Sequence, residues 1–191
     1  VRLMLTTIPT VGFFKIWQGE RGPWTFTLTT LLGHWLHQAE EQFGQRDRTW
    51  TILGVEVGTT RPQIWYPGSP EQKHVAIQLS HHCQTNEVEA RFQLAQEIVH
   101  LLAPNGGGAA RNIEEGVATL FANKVAPHPV TAPSYVRVLG YVQTLLSIDP
   151  DAIRKLRVVR NRFQDFDPEF IQAHVVVPDQ LASDLCNLYA D

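Results

Sequence analysis

A glutamate and a histidine three positions apart, Glu97 and His100, lie where the sequence reads "AQEIVHLLAPNGGGAARNIEEGVATLFANKVA", from residue 95 to residue 126. A histidine at position 96 would complete the pattern H-E-x-x-H, in which two histidines one helical turn apart bind zinc and the glutamate between them acts as a base. The chain has Gln96 at that position. The residue types therefore indicate metal-assisted hydrolysis, with one of the usual ligands replaced by an amide.

The segment that carries Glu97 is predicted to be an amphipathic helix over about residues 86–102. Thr85 or Asn86 is suited to its N-cap, and acidic residues follow in the first turn, where they compensate the helix dipole. Residues four apart are neighbours on a helix, so Gln96 and His100 share one face. The two faces differ in polarity: Phe92, Ala95, Ile98, Val99 and Leu102 form the apolar one, and Gln93, Gln96, Glu97 and His100 lie on the other.

A second helix is predicted from Asn112, its expected N-cap, to about residue 125, after a glycine-rich hinge. A short connection makes two helices antiparallel neighbours, so a carboxylate at the start of the second helix can reach His100. Glu115 lies at helical spacing from three apolar residues of its own helix. It therefore points toward the packed side, where a carboxylate is costly unless it is paired or bound to metal. Glu114 has nearly equivalent spacing and is the alternative.

The two segments "QEIVH" and "IEEGVATLF" together resemble the gluzincin group of zinc metallopeptidases. In that group H-E-x-x-H lies on one helix, and a glutamate of a following helix, often within N-E-G-x-A, supplies the third zinc ligand. The resemblance implies that His100 is the second histidine ligand, Glu97 the general base and Glu115 the third ligand, with Gln96 in the position of the first. It covers about residues 48–126 and implies zinc as the cofactor and peptide hydrolysis as the reaction.

The bare pattern E-x-x-H is short and has a high false-positive risk, as a second copy in the chain illustrates. Glu71 and His74 have the same spacing, but Pro70 and the strand predicted after it argue against a helix there. The first copy is distinguished by its predicted helix and by the glutamates that follow. The alternative interpretation is a helical hairpin in which His100 and Glu115 form a buried hydrogen-bonded pair with no relation to metal.

Residues 74–79 form the clearest predicted strand, because apolar residues at positions 75, 77 and 79 alternate with the others. Gluzincins usually hold the substrate as an added strand on the sheet edge just before the active helix. The resemblance therefore implies that residues 74–79 are that edge, and that Gln78 contacts a bound peptide or protein segment.

The presence of glutamine at position 96 decides which of two possible functions the sequence favours. An amide oxygen is a much weaker zinc donor than a neutral imidazole nitrogen. Even changes in the groups that surround metal ligands cost about 10- to 100-fold in affinity or activity. We therefore expect a metal-poor, catalytically impaired domain that serves as a peptide- or protein-binding module. The alternative is an active zinc-dependent peptidase that tolerates the glutamine.

Several other side chains could assist the same site. A tyrosine or histidine that stabilises an oxyanion would promote hydrolysis. The candidates for that role are Tyr135, Tyr141, His128 and His174. A replacement ligand could come from His81, His82 or Cys83 before the helix, although a polar loop is the favoured interpretation. His34 and His37 are favoured as an ordinary packed or surface pair.

The composition is that of one globular domain. With 191 residues and 43% hydrophobic content, the chain can bury one substantial core. A formal net charge of -3 provides no broad basic surface for nucleic acid, and the basic residues of 154–162 are predicted to form a solvated helix face. The sequence contains no apolar run long enough to span a membrane. Cys83 and Cys186 are too few for a disulfide framework, which favours a reducing, cytoplasmic location.

The overall pattern predicts an α+β fold of zincin-like type in a single domain, residues 1–191. The first 14 residues are predicted to be a strand rather than a signal peptide, because threonines and a proline interrupt their apolar character. The sheet is expected to be small and mixed, with helices over the C-terminal part from about residue 133. Further strands are expected within 48–57 and 62–68, and further helices over about 27–43, 134–147, 151–160 and 178–189.

Overall fold

The computed structural model describes residues 15–19 and 22–190. The strand predicted over the first 14 residues lies outside this part of the chain. Strands β1 (Lys15–Gly19) and β2 (Gly22–Phe26) pair antiparallel. Among the described residues, no helix has the length and apolar character needed to cross a membrane.

Helix α1 (Leu28–Phe43) confirms the helix predicted over 27–43. Thr27 caps it, because the Thr27 side chain accepts the backbone N–H of Thr30 and the Thr30 side chain accepts the backbone N–H of Thr27. Gly44 follows with a φ of 100°, which glycine adopts without strain, and the helix ends there. The buried side chains of α1 enter the core: Leu31, Leu32, Trp35, Leu36, Ala39 and Phe43.

A mixed three-stranded sheet forms the β part of the core. It consists of β3 (Thr51–Thr59), β4 (Gln63–Trp65) and β5 (His74–Ser80), in the order β3-β5-β4. Strand β5 runs parallel to β3 and antiparallel to β4. The prediction of a small mixed sheet built from these regions is therefore confirmed.

The prediction that residues 74–79 form a sheet edge is wrong. Strand β5 pairs with a neighbour on each side, and β4 is the edge strand next to it. Prolines at positions 62 and 67 flank β4, which is typical of an edge strand because proline cannot donate a hydrogen bond to a sheet. Alternation of apolar residues predicts which face of a strand is buried, but it carries no information about which strands lie beside it.

Two helices after the sheet carry the motif residues. Helix α2 (Glu87–His100) is capped by Asn86, whose side chain accepts a backbone N–H of the first turn, so the helix and one of its two expected caps are confirmed. Helix α3 (Asn112–Val125) matches its predicted range, but its cap is one residue earlier than expected. The predicted capping role of Asn112 is wrong, because its side-chain amide donates to the carbonyl of Asp184 instead.

Four helices complete the described chain, and three of them correspond to predicted helices. They are α4 (Pro133–Ile148), α5 (Ala152–Val159), α6 (Pro168–His174) and α7 (Asp179–Cys186). Helix α6 is the one that the periodicity does not predict, because its 7 residues are too few to display a helical period. Its start signal is nevertheless present, since Asp167 accepts the backbone N–H of Phe170 at 2.7 Å and Pro168 occupies the first turn.

The basic segment 154–162 departs from its prediction at one residue. Arg154 and Arg162 are exposed, as a solvated face requires, but Arg157 is only 3% exposed. Burial lowers the pKa of Arg157 to about 10, although nearby carboxylates oppose this effect. The guanidinium donates hydrogen bonds to the carbonyls at the ends of two helices, those of Phe43, Gly44, Gln45 and Leu102. Arg157 therefore joins the C-terminal ends of α1 and α2.

Gly116 lies at a close approach between α3 and α4. A methyl group on Gly116 would lie 2.4 Å from the carbonyl oxygen of Val138 and 2.6 Å from Cγ2 of Val142. Because a helix backbone cannot move aside cheaply, we expect Gly116→Ala to lower the free energy of unfolding by about 1–3 kcal/mol. Chemical denaturation monitored by circular dichroism measures this loss.

Gly140 on α4 provides a matched control for Gly116. No atom lies within 4 Å of a methyl group added there, so Gly140→Ala is expected to be neutral or slightly stabilising. Equal losses of stability in the two variants would contradict the close contact between α3 and α4.

Candidate functional site

A cavity of about 440 Å³ lies between the β4 region, α2 and the start of α3. The four residues that the motif singles out, Gln96, Glu97, His100 and Glu115, all line it. Other polar and aromatic residues also line the cavity. These are Arg61, Gln63, Tyr66, Asn105, Glu114, Tyr135 and Tyr189.

His100 lies between two glutamates, one at each ring nitrogen. Its Nδ1 is 2.8 Å from Oε1 of Glu114, whose side chain is only 2% exposed. Its Nε2 is 3.6 Å from Oε1 of Glu115, whose side chain is 14% exposed. The structure thus brings both candidate glutamates to His100. The sequence could not decide between Glu114 and Glu115, because two adjacent residues at the start of a helix can both lie close to the same side chain.

Gln164 is part of this cluster and was not predicted from the sequence. Its side-chain amide donates a hydrogen bond to Oε2 of Glu114, and its backbone carbonyl accepts the Nε–H of Arg111 at 3.0 Å. Glu114 is therefore held on both carboxylate oxygens, by His100 and by Gln164. A residue 50 positions away in sequence has no local pattern that could have identified it.

The charges of the cluster depend on burial and on one another. Burial raises the pKa of Glu97 to about 7, an effect that His100 opposes and that Glu115 and Glu114 reinforce. Burial would lower the pKa of His100, but Glu115, Glu114 and Glu97 together raise it to about 10. At neutral pH His100 is therefore an imidazolium that carries positive charge among carboxylates.

We expect the metal-free protein to lose stability as the pH rises from 5 to 7.5. A carboxyl whose pKa is raised by folding binds its proton more tightly in the folded state, so Glu97 contributes stability at low pH that is lost between its ordinary pKa of 4.5 and about 7. The contribution of His100 is complete below 6.5 and is lost progressively between 6.5 and about 10. Thermal unfolding with a chelator present measures the difference.

The matched variant for this pH dependence is Glu97→Gln, which has no proton to bind in this range. It is expected to flatten the fall in Tm between pH 5 and 6.5, while the loss above pH 6.5 that comes from His100 remains. A parent protein whose Tm is the same at pH 5 and 7.5 would contradict the raised pKa of Glu97.

Gln78, the predicted substrate-binding residue, does not line the cavity. Its side chain donates to Oε2 of Glu56 at 2.8 Å and accepts from the Gln63 amide at 2.8 Å. Side chains alternate along a strand, and its neighbour Ile77 faces the core, so Gln78 lies on the opposite face of the sheet. Instead, Gln63 and Ile64 of the edge strand β4 line the cavity.

Of the four candidates for an oxyanion-stabilising side chain, Tyr135 is the one that lines this cavity. It is joined there by Tyr189, which the sequence analysis does not single out, and their ring centroids are 5.5 Å apart. Tyr141 packs against the core. The Nδ1 of His174 forms a hydrogen bond with the carbonyl of Phe170 at 2.8 Å. His128 lies in a neighbouring cavity.

The remaining histidines and the cysteine considered as ligands lie outside the cavity. His81 bonds to the carbonyl of Thr59 at 3.0 Å, its ring stacks on His82, and the Cys83 thiol donates to the Gln93 side chain. His34 and His37 are exposed on α1. His34 and His37 therefore match the predicted surface pair. The predicted polar loop is wrong, because residues His81–Gln84 form a short 3-10 helix in which Cys83 is buried. Within the described ranges, no set of three or more His, Cys, Asp or Glu side chains is arranged to hold a metal ion.

Comparison with protein-family models, with curated proteins and with solved structures finds no match to this chain. Function is therefore inferred from the cavity and its chemistry.

Proposed function

We propose that this chain is a zincin-like domain of the gluzincin type that binds an extended peptide and retains little affinity for metal. The observation that carries the proposal is the position of His100, with Nδ1 held by Glu114 and Nε2 facing Glu115 inside the cavity. Histidines that bind metal almost always donate their other ring N–H to a carboxylate, a carbonyl or water. On this interpretation Glu114 positions His100, and Glu115 is the metal-ligand candidate.

The donor set fits zinc incompletely. A nitrogen and an oxygen that share a tetrahedral zinc ion lie about 3.4 Å apart, close to the 3.6 Å between His100 Nε2 and Glu115 Oε1. The third position is Gln96, which is buried and lines the same cavity, but its amide is a weak donor for zinc. Two strong donors and one weak donor support a site that binds metal poorly. In the metal-free protein, His100 is instead an imidazolium whose positive charge compensates the neighbouring carboxylates.

The peptide-binding part of the proposal is supported by the edge strand β4. Among the described residues, β4 pairs only with β5, so no described strand pairs with its other side, where an extended peptide could add. Gln63 and Ile64 of β4 line the cavity opposite the residues of α2. An extended peptide that pairs with β4 would therefore pass over Gln96 and Glu97, with main-chain hydrogen bonds supplying affinity.

Peptide binding can be tested by fluorescence anisotropy with a pool of labelled octapeptides blocked at both termini. Gly108 lines the cavity, and a Cβ atom there would have no contact closer than 3.9 Å, so Gly108→Trp places a bulky group in the cavity without a backbone clash. We expect this variant to weaken binding by at least about tenfold, or about 1.4 kcal/mol. Gly33→Trp on the exposed side of α1 is the matched control. An unchanged affinity in Gly108→Trp, or no binding by the parent protein, would count against the proposal.

The alternative is an active zinc-dependent peptidase, with His100 and Glu115 as ligands and Glu97 as the general base. It is favoured by the pKa of Glu97, which burial raises to about 7, close to the value that suits a base at neutral pH. Zinc, when bound, supplies a Lewis acid and an activated water. The protein itself must supply a proton acceptor, and Glu97, which lines the cavity, is the candidate for that role.

A further inference from the structure

A second cavity of about 260 Å³ adjoins the first. Pro62, Gln96 and Tyr135 line both cavities, so the two lie side by side. The second cavity lies between α2 and the segment 128–132, which connects α3 to α4. A peptide that passes Gln96 along β4 can therefore place a side chain in it.

The lining of the second cavity combines an apolar wall with a carboxylate. Phe92, Val130 and Tyr135 contribute apolar surface, and the His128 ring stacks on Phe92 with centroids 5.1 Å apart. Glu89 is the acidic residue in this lining, and its side chain is 28% exposed. A long side chain with an apolar stem and a cationic head matches both features.

Glu89 is held in position and still has acceptor capacity. Its Oε1 accepts the Gln93 amide at 2.7 Å, and its Oε2 lies 3.5 Å from Nε2 of His128. Gln93 is itself fixed, because its side chain also bonds to the backbone N–H and the hydroxyl of Ser80, each at 2.9 Å. A carboxylate has about four lone-pair sites, so Glu89 can accept further hydrogen bonds from a ligand.

We propose that the second cavity binds a basic side chain, preferably arginine, of a peptide that crosses Gln96. This inference rests on the proposed peptide-binding function and specifies its substrate class. The methylene stem packs between Phe92 and Tyr135, and the guanidinium reaches Glu89. Arginine is preferred over lysine because its planar fork forms two parallel hydrogen bonds to a carboxylate and stacks on aromatic rings.

The test compares octapeptide pools in which one position is fixed as arginine, citrulline, leucine or glutamate. Citrulline has nearly the shape of arginine but no charge. We expect the arginine pool to bind at least about fivefold more tightly than the citrulline pool. Glu89→Gln should abolish this preference, since glutamine can still accept from Gln93 but has no charge. Glu87→Gln removes the same charge outside the cavity, from a residue paired with Arg91, and should keep the preference.

A second probe separates failure of this inference from failure of the proposed function. Nα-acetyl-arginine N-methylamide is titrated while the backbone amide resonances of Phe92 and Val130 are followed by NMR. Peptides that bind without preferring arginine, or a preference that survives in Glu89→Gln, would overturn the basic subsite and leave peptide binding intact. Shifts caused by the arginine amide in the parent but not in Glu89→Gln, without any peptide binding, would support the subsite and overturn the proposed function. If neither probe binds, both are wrong.

Discussion

Gln96→His is expected to raise the affinity of the protein for zinc by at least about 10- to 100-fold, from weak binding to near-stoichiometric occupancy. The substituted side chain lies one helical turn before His100, so a third strong ligand joins His100 Nε2 and Glu115. Elemental analysis after equal zinc exposure, followed by a competitive titration with a zinc indicator, measures the change.

Two variants control the zinc experiment. Adding His100→Ala to Gln96→His should remove the gained affinity for zinc, because the histidine ligand at position 100 is lost. Gln38→His is the surface control, since Gln38 lies one turn from His34 on α1 and the substitution creates an exposed histidine pair. The nearby Glu41 is exposed and paired with His37, so this control lacks the largely buried glutamates that contact His100. Zinc uptake by this control equal to that of Gln96→His would mean that an exposed histidine pair with a nearby carboxylate suffices.

The parent protein discriminates between the two proposed functions in the same experiment. Near-stoichiometric zinc in the parent, lost in His100→Ala, would support the active peptidase and justify a search for peptide cleavage. No zinc in the parent but uptake by Gln96→His supports a domain whose metal function has lapsed. Absence of uptake in both proteins would refute the gluzincin interpretation.

Arg157→Met is expected to lower the free energy of unfolding by about 3 kcal/mol or more. Methionine fills a similar volume but removes the donors to the carbonyls of Phe43, Gly44 and Gln45, and buried acceptors that lose their partner are costly. The Leu102 carbonyl keeps the backbone N–H of Asp47 at 2.8 Å. The Tm should fall by about 6–12 °C for a chain of this size. Differential scanning calorimetry measures both quantities.

The matched variant is Arg154→Met, one turn earlier on the same helix, where the side chain is exposed. Its effect should stay within about 0.5 kcal/mol. Arg157→Lys should fall between the two, because an ammonium group has three donors against the five of a guanidinium. Equal effects at positions 154 and 157 would contradict the structural role of the buried arginine.

The sequence predicted the helices best, because their signals are local. The 3.6-residue period, Asn86 at the N-cap of α2 and Gly44 after α1 are all readable within a few residues of each helix end. The same local signals predicted that Gln96, Glu97 and His100 share one face. Helix α6 escaped prediction although Asp167 and Pro168 mark its start, since it is too short to display a period.

Contacts between distant segments could not be predicted in the same way. The surroundings of β5 depend on pairing with β3 and β4, so the sheet edge expected at 74–79 lies at β4 instead. Gln78 bonds to Glu56 and does not line the cavity. The burial of Arg157 likewise depends on where the ends of α1 and α2 meet. A charge pattern alone predicted a solvated face there, because it contains no information about the carbonyls of other helices to which Arg157 donates.

The same distinction between local signals and long-range contacts applies to the candidate site. The sequence by itself determined the residue types, the helical spacing of Gln96, Glu97 and His100, and the presence of two glutamates at the start of the next helix. Only the tertiary structure decided that Glu114 holds one ring nitrogen of His100 while Glu115 faces the other, and that β4 and Tyr135 complete the cavity. The physical reason is that helical periodicity acts over a few residues, whereas ring orientation and cavity shape depend on packing between segments far apart in the chain.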